Sequence, residues 1–281
     1  MAIDPLSHSS AQSLLSCEQK YYYYKIERSE VDSDYEKSTA LCIGSAFHWI
    51  MEQTKHEKPE SITSMFQTCS ELPDIRLDEE HFCLVHAMVI KYLRLHKQMD
   101  LKLLSVELKL ETKDFIGFVD AIMEDSEGKW WIVDLKTYKA LTPKALPLLY
   151  KDPQMSLYAG HREAIAAKLD LDVEKFGGTR WRVVTKSTIK RRPREEDIDF
   201  TKRLVGSVKA YDIPIPFNVE AVDERLFLHK EANKRVKQLA KGSKPIRNYG
   251  NCLAYFTPCE YFSKCHGKNY SDIAPIDITE A

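Results

Sequence analysis

Apolar and polar residues alternate with a period of two in the middle of the chain. Segments 103–110, 115–123 and 130–136 show this alternation and are rich in β-branched and aromatic residues, which predicts three strands. The polar residues from Glu124 to Gly128 predict a hairpin turn between the second and third strands. Thr179 to Thr185 predicts one more strand further along the chain.

Apolar residues three and four positions apart predict helices on both sides of these strands. The clearest example is 78–99, where apolar residues recur at helical intervals. Asp152-Pro153 is typical of a helix start, with Asp as N-cap and Pro at the first helical position, and predicts a helix that runs to Leu169. The polar segment 57–77 is predicted to be a loop. Further helices are predicted at 10–24, 40–56, about 195–211 and 219–241.

The order of these elements predicts an α/β fold, in which a mixed sheet is flanked by helices. The chain has 281 residues, of which 43% are hydrophobic. It can therefore bury a large core, either as one domain with insertions or as one domain plus a helical lobe. The net charge of -1 argues only against a wholly basic surface, because a cationic groove can lie on a neutral protein.

The sequence gives no sign of a membrane or export signal. It contains no run of 18 apolar residues, which a transmembrane helix requires. Residues Met1 to Ser10 lack the charged and apolar regions of a signal peptide. We therefore expect a cytoplasmic protein, without contact to a membrane. Several common catalytic patterns are also missing: the sequence has no P-loop, no G-x-G-x-x-G, no G-x-S-x-G and no H-E-x-x-H.

Two acidic residues and one lysine follow apolar strand sequences. Asp120 closes one such stretch and Asp134 closes the next, so both are predicted to lie at strand ends. Alternation places Asp134 and Lys136 on one face of their strand and Leu135 on the other. This group can hold a divalent cation beside a cationic side chain, which phosphodiester hydrolysis needs. For an isolated D-x-K pattern, a salt bridge at a strand edge is the alternative interpretation.

Four further residues lie where they could join Asp120, Asp134 and Lys136; they are His48, Glu107, Gln154 and Tyr158. Gly44 and His48 fall one turn apart in an apolar stretch that predicts a buried helix. Glu107 alternates with apolar neighbours in the strand before Asp120. Gln154 and Tyr158 are four residues apart, and so would share one face of the helix that starts at Pro153.

Taken in order, these residues resemble the motif series of the RecB-like branch of the PD-(D/E)XK nucleases, over about residues 10–265. The resemblance implies a restriction-endonuclease-like core with helical additions. It implies that one or two Mg or Mn ions are bound, that Glu107 supports a second ion or holds a water, and that Lys136 serves the attacking water. It also implies that Gln154 and Tyr158 orient the lysine or the strand end. The implied metal ligands are His48, Asp120, Asp134 and the backbone carbonyl of Leu135.

The seven cysteines do not indicate a disulfide framework, since their number is odd and nothing suggests export. Cys42, Cys69 and Cys83 lie in apolar or helical sequence and are interpreted as core residues. Three others cluster near the C-terminus at Cys252, Cys259 and Cys265, one thiol short of the four that closed sulfur sites normally take.

The segment around Cys17 resembles the C-x-x-K-Y-Y-Y segment of iron–sulfur members of this nuclease family, among them AddB-like helicase-nucleases and CRISPR-adaptation nucleases. Those members pair one N-terminal cysteine with three C-terminal ones around a 4Fe-4S cluster. The resemblance therefore implies a structural cluster held by Cys17, Cys252, Cys259 and Cys265. Six residues separate Cys252 from Cys259, where several relatives have two. A zinc site and ordinary cysteines are the alternatives.

The resemblance implies a metal-dependent exonuclease acting on single-stranded DNA in recombination, repair or phage DNA processing. It implies one nuclease domain over 1–281, with a core at about 40–190 and a cluster element formed by about 10–25 and 250–267. For a phage protein, the expected location is the host cytoplasm. Two alternatives stay open: a nucleic-acid-binding protein without turnover, and a subunit that needs a helicase or recombination protein.

Basic residues concentrate directly after the last predicted strand. As one hypothesis, these residues contact DNA phosphates; a solvated loop is the alternative. The residues are Lys186, Lys190, Arg191, Arg192 and Arg194.

Overall fold

A computed structural model describes residues 5–32, 38–55, 62–72, 75–150, 152–253 and 258–267. The chain forms two compact units. The larger unit consists of Lys37–Glu111 and Ile116–Leu226, and the smaller unit of Met1–Glu36, Thr112–Phe115 and Phe227–Ala281. The single nuclease domain expected from the sequence stays a prediction.

The larger unit contains one five-stranded sheet in which the strands follow their order along the chain. Strands 3 and 4 are parallel, and the other neighbouring pairs are antiparallel. This confirms the predicted mixed sheet flanked by helices. The strands are β1 (Leu101–Glu111), β2 (Ile116–Asp125), β3 (Trp130–Tyr138), β4 (Phe176–Thr185) and β5 (Ala210–Pro216).

Several helices begin where the sequence offers caps for their free N–H groups. Ser38 accepts a hydrogen bond from the Leu41 N–H, and Asp152 accepts from Gln154 and Met155. The described helices are α1 (His8–Ser16), α2 (Glu18–Tyr21), a π-helical turn (Tyr22–Glu27), α3 (Thr39–Gln53), α4 (Ile62–Ser70), α5 (Glu79–Gln98), α6 (Leu146–Tyr150), α7 (Pro153–Gly160), α8 (Arg162–Leu169), α9 (Asp197–Ser207), α10 (Val219–Ala240) and α11 (Phe262–His266), with 3-10 turns at Val173–Lys175 and Tyr249–Asn251.

Helices α3, α5 and α9 bury one face of the sheet. Phe47 of α3, Val89 of α5 and Leu204 of α9 form one core cluster with Leu135 of β3 and Val184 of β4. Because successive strand residues point to opposite faces, Asp134 and Lys136 point away from this core. The predicted alternation around Leu135 is therefore confirmed.

The parallel pairing of β3 with β4 requires a crossover connection. This connection carries α6, α7 and α8, and α7 packs against both strands. The crossover therefore brings Gln154 and Tyr158 to the sheet face that carries Asp134 and Lys136.

The smaller unit packs its first residues against α10. Leu6, Ala11 and Leu14 lie in one buried cluster with Val236 and Leu239. Within the same unit, Arg235 forms two hydrogen bonds with the Glu18 carboxylate, of 2.7 and 2.6 Å.

Several predicted helices differ from those observed. The helix expected at 10–24 is interrupted at Cys17, whose backbone is extended, and the helix expected from Pro153 to Leu169 breaks at His161. Part of the segment 57–77, predicted as a loop, forms α4; residues 57–61 and 73–74 lie outside the described residues.

Strand β5 was not predicted from the sequence. Its residues include Pro214 and Pro216, which weaken a strand pattern. β5 lies at the edge of the sheet and pairs only with β4, and an edge strand tolerates proline because one side of its backbone needs no partner strand.

None of the helices in the described ranges is long and apolar enough to cross a lipid bilayer.

Replacement of Gly178 by Ala is expected to destabilise the protein by at least about 2 kcal/mol. Gly178 lies in β4 with φ +129°, and an added Cβ would lie 2.3 Å from the Ile215 carbonyl oxygen. Chemical denaturation measures the loss. The matched control is Gly206→Ala, where no described residue beyond its own turn of helix lies within 4 Å of the new Cβ; equal effects of both changes would contradict the prediction.

Candidate active site

The two acidic residues singled out from the sequence lie where the pairing between β2 and β3 stops. The paired residues run from Glu124 with Trp130 to Ala121 with Val133, and the next residue on each strand is Asp120 or Asp134. The Asp120 carboxylate accepts a hydrogen bond of 2.8 Å from the Leu135 N–H. A side-chain oxygen therefore satisfies a backbone donor at the point where the two strands separate.

The prediction that Asp120 and Asp134 lie at strand ends was wrong. β2 continues to Asp125 and β3 continues to Tyr138, so both acids lie inside their strands. The hydrogen-bonded pairing between β2 and β3 ends beside them. The predicted hairpin turn is confirmed, since Gly128 N–H donates to the Asp125 carbonyl at 2.9 Å.

Asp134 and Lys136 form an ion pair in the third of five strands. Lys136 Nζ lies 2.8 Å from Asp134 Oδ2, and the Asp134 side chain is only 2% exposed. Burial removes the carboxylate from water, which is costly unless charges or hydrogen bonds compensate. The pair is thus no ordinary strand-edge salt bridge, since it lies in the interior of the sheet.

Helix α7 connects the lysine to β2 through a chain of hydrogen bonds. Lys136 Nζ donates to Gln154 Oε1 at 3.3 Å, and Gln154 Nε2 donates to the Tyr158 hydroxyl at 3.2 Å. Tyr158 in turn donates to the Phe118 carbonyl at 2.7 Å. The spacing of four residues between Gln154 and Tyr158 places both side chains on one helix face. These contacts fix the ammonium group relative to the backbone of β2.

Helix α3 brings an imidazole to the same place. His48 Nδ1 lies 3.6 Å from Asp120 Oδ2, and the ring also forms a hydrogen bond with the backbone of Leu135. Burial lowers the pKa of His48, which favours the neutral ring that can bind a metal. Gly44 allows this close packing, because a Cβ there would lie 3.2 Å from the Thr137 hydroxyl oxygen.

Glu107 lies in β1, the strand that precedes β2. Its neighbours Val106 and Leu108 pair with Ala121 and Val119, so it lies opposite Asp120. Its φ of 44° is unusual for a strand residue. Burial, followed by the charges of other carboxylates that include Asp120, raises the pKa of Glu107 to about 7.

Glu52 joins this group although sequence reasoning did not single it out. Its charge contributes to the raised pKa values of both Glu107 and Asp120. The residue lies four positions after His48 in α3, and this spacing places both side chains on one helix face. The spacing was the only signal in the sequence that pointed to Glu52.

The site carries more negative than positive charge. Burial, then the charge of Asp120, raises the pKa of Asp134, and burial also raises that of Asp120. Burial opposes the charge of Lys136, but Asp134 and other carboxylates outweigh it and raise the pKa of the lysine. One ammonium group therefore faces several carboxylates, an arrangement that favours binding of a cation.

The donor chemistry fits a divalent metal, although the side chains do not form a finished coordination shell. Across the described ranges, no three His, Cys, Asp or Glu side chains have the spacing of a formed metal site. Carboxylate and carbonyl oxygens suit Mg²⁺, and an added imidazole suits Mn²⁺. Asp120, Asp134, His48 and the Leu135 carbonyl supply this set within one small region.

Four cysteines of the smaller unit line one cavity. Asn248 N–H lies 3.5 Å from Cys17 Sγ. Burial first, and then charges at Cys265 and Cys17, raise the pKa of Cys252, so these thiols lie close enough to interact. The cavity includes Cys252 despite its unusual spacing in the sequence. The four are Cys17, Cys252, Cys259 and Cys265.

The other three cysteines, Cys42, Cys69 and Cys83, are buried, which confirms their interpretation as core residues. Two of the basic residues that follow β4 have partners within the chain. Lys186 Nζ donates to the Ala40 carbonyl at 2.7 Å, and Arg191 forms an ion pair with Asp197. Their contact with DNA stays a prediction.

Comparison with known proteins decides the family. The family model described as the PD-(D/E)XK nuclease superfamily matches residues 5–266. This chain belongs to that superfamily. Membership supports nuclease activity with DNA as the implied substrate, and PD-(D/E)XK nucleases generally use divalent metal ions.

A solved structure shows a similar fold. A candidate exonuclease from Eubacterium rectale is 18% identical, with a TM-score of 0.54, and the match covers 94% of each chain. The protein SSO0001 is 12% identical, with a TM-score of 0.29 over 86% of this chain and 94% of the other, too low for any structural argument. No curated protein matches this chain.

Replacement of Asp134 by Asn is expected to change how the stability of the metal-free protein depends on pH. The folded state raises the pKa of this carboxyl above its ordinary 3.8, so the unfolded state loses its proton first. Stability that the protonated group supplies is therefore lost as pH rises above this ordinary value. The thermal midpoint of the variant minus that of the native protein, both measured in chelator, should therefore increase by several degrees from pH 5 to pH 8.

The matched control is Asp223→Asn, at an exposed aspartate of α10, which should show no such change with pH. Added Mn²⁺ should raise the midpoint of the native protein more than that of Asp134→Asn. If the difference in thermal midpoint between the native protein and Asp134→Asn stays constant with pH, the prediction is contradicted.

Proposed function

We propose that this chain is a Mg- or Mn-dependent deoxyribonuclease that hydrolyses phosphodiester bonds at the ends of single-stranded DNA. Such an exonuclease would act in DNA recombination, repair or phage DNA processing. The observation that carries the proposal is the Lys136 ammonium, held between the buried Asp134 carboxylate and Gln154 beside Asp120. Membership of the PD-(D/E)XK superfamily supports the nuclease chemistry.

The metal would be held by side chains around the separated strands. His48, Asp120, Asp134 and the Leu135 carbonyl would bind it, and Glu107 would support a second ion or hold a water. A bound ion supplies charge neutralisation at the phosphate and lowers the pKa of water. The neutral His48 ring and the two carboxylates provide the mixed nitrogen and oxygen donors that Mg²⁺ and Mn²⁺ accept.

Lys136 would position the attacking water and stabilise the negative charge that develops on the phosphate. Its ammonium group has three donors, of which Asp134 and Gln154 engage two. One donor therefore remains to point at a water or a phosphate oxygen. Gln154 and Tyr158 act as positioning residues, because they touch the lysine and the β2 backbone.

Two observations support exonuclease action on single strands. The Eubacterium rectale protein with a similar fold is named as a candidate exonuclease. The resemblance of the Cys17 segment to iron–sulfur nucleases points in the same direction.

The decisive experiment compares end-labelled linear and circular single-stranded DNA with Mg²⁺ or Mn²⁺ and anaerobically purified protein. We expect loss of the linear substrate alone. Lys136→Ala should reduce the rate by roughly 10²-fold or more, since removal of one preorganised charge-stabilising group typically costs that much. The matched control is Lys129→Ala, an exposed lysine paired with Glu127 in the β2–β3 turn, which should retain the rate.

Each other outcome changes the assignment. Cleavage of circles would identify an endonuclease. No cleavage by metal-supplied protein would contradict an autonomous enzyme and favour a subunit that requires a helicase or recombination protein.

We further propose that Cys17, Cys252, Cys259 and Cys265 hold a structural 4Fe-4S cluster. All four thiols line one cavity, and four cysteine thiolates are the usual donor set for such a cluster. The described residues that line the cavity belong to the smaller unit, whereas Asp120, Asp134 and Lys136 belong to the larger. The cluster would therefore stabilise the fold without taking part in hydrolysis.

Iron content tests this second proposal independently of activity. Anaerobically isolated protein should contain about four iron atoms per chain and absorb visible light, and Cys17→Ser should lose both. Cys83→Ser, which changes a core cysteine of α5 outside the cavity, should keep both. Zinc in place of iron would overturn the cluster in favour of a zinc site, and absence of both metals would leave ordinary cysteines.

A further inference from the structure

An exposed aromatic ring lies beside the candidate active site. Phe118 is 51% exposed, although large apolar side chains usually gain free energy by burial. It precedes Asp120 by two residues in β2, so both side chains point to the same face of the sheet. The rise of a strand separates the two Cα atoms by only about 7 Å.

Two lysines lie close to Phe118. Lys109 is the direct partner of Phe118 across the β1–β2 pair, so both side chains extend from the same face. Lys168 of α8 reaches the same place, since its Nζ donates to the Lys109 carbonyl at 2.7 Å. Both lysines are exposed. The ring therefore lies beside two lysines, of which Lys109 forms an ion pair with the Glu111 carboxylate of the same strand.

The backbone of Phe118 is fixed to the candidate active site. Its carbonyl accepts the Tyr158 hydroxyl at 2.7 Å, at the end of the hydrogen-bond chain that begins at Lys136. A side chain on such a backbone keeps a fixed position relative to the lysine. Preorganisation of this kind reduces the entropy lost when a ligand binds.

The Phe118 side chain is half-buried. Among the residues that the structure describes, none makes a ring–ring or cation–π contact with Phe118. A single exposed apolar residue is common on protein surfaces and by itself carries no function. Here the exposed ring coincides with flanking lysines, a fixed backbone and a catalytic carboxylate two residues away. An aromatic face combined with cations is the arrangement that binds single-stranded nucleic acid.

We propose that Phe118 stacks on a base of the DNA strand next to the bond that is cleaved, while Lys109 contacts the phosphate backbone. The proposal rests on the deoxyribonuclease function proposed above and names the feature that selects its substrate. Bases in a duplex are already stacked on their neighbours, whereas an unpaired base can offer its face to a side chain. Phe118 would therefore favour single-stranded DNA over duplex DNA.

Binding measurements test the proposal in a variant whose DNA cleavage is strongly slowed. Fluorescence anisotropy with labelled single-stranded DNA is measured in the Lys136→Ala background. Addition of Phe118→Leu should raise the Kd about 5- to 150-fold, which corresponds to ~1–3 kcal/mol per stacked base. Addition of Phe118→Trp should restore binding, because it restores an aromatic face. The matched control is Phe227→Leu at another phenylalanine, 60% exposed, which should leave the Kd unchanged.

Salt dependence separates stacking from charge. Phe118→Leu should leave the slope of log Kd against log salt unchanged, whereas Lys109→Ala should reduce it by about 0.7, the value for one phosphate contact on a single strand. The Kd for duplex DNA should be the same with and without the Phe118→Leu change in the Lys136→Ala background.

Failure of this inference differs from failure of the function. If the native protein cleaves DNA but Phe118→Leu binds single strands as tightly as its parent, stacking by Phe118 is wrong and the nuclease function stands. Equal losses for single-stranded and duplex DNA would overturn selection by the ring. If the native protein neither binds nor cleaves DNA, both proposals are wrong.

Discussion

The buried carboxylate of Asp134 is the constraint on which the candidate site depends. A charge that is almost fully removed from water destabilises a fold unless other groups compensate for the lost hydration. Here Lys136 lies 2.8 Å away, and Gln154 holds the lysine. Burial and the charge of Asp120 still raise the pKa of Asp134, so compensation is incomplete without a cation. The fold thus tolerates an unfavourable charge at a place where ligand binding can relieve it.

The arrangement of strands explains how this charge reaches the site. β2 and β3 are paired up to Ala121 and Val133 and then separate. Beyond that point the Asp120 carboxylate accepts a hydrogen bond from the Leu135 N–H. At this point His48 of α3 lies 3.6 Å from Asp120. The parallel pairing of β3 with β4 requires a crossover connection. That crossover carries Gln154 and Tyr158 to the sheet face of Asp134 and Lys136. Connectivity and chemistry are therefore linked.

Local patterns predicted the parts of the structure that depend on local rules. Alternation placed Asp134 and Lys136 on one face, and the Asp152-Pro153 cap placed α7, because both signals act over a few residues. The end of the β2–β3 ladder was not predictable, since it depends on where the partner strand leaves. Glu52 was not predicted because its spacing of four residues from His48 does not indicate which face of the helix packs against the sheet. β5 was missed because its prolines suppress a strand pattern that only an edge position permits.

The ion pair between Glu18 and Arg235 has a consequence for the order in which the chain is made. The Glu18 carboxylate also accepts the Ile246 N–H at 2.9 Å, across 228 positions of sequence. At roughly 5–20 residues per second, a ribosome needs roughly 10–45 s to add that length. During this interval Glu18 and its neighbours exist without the partners that hold them, and the strands that carry Asp120 and Asp134 are synthesised. The two parts of the smaller unit are thus made before and after the strands of the candidate active site.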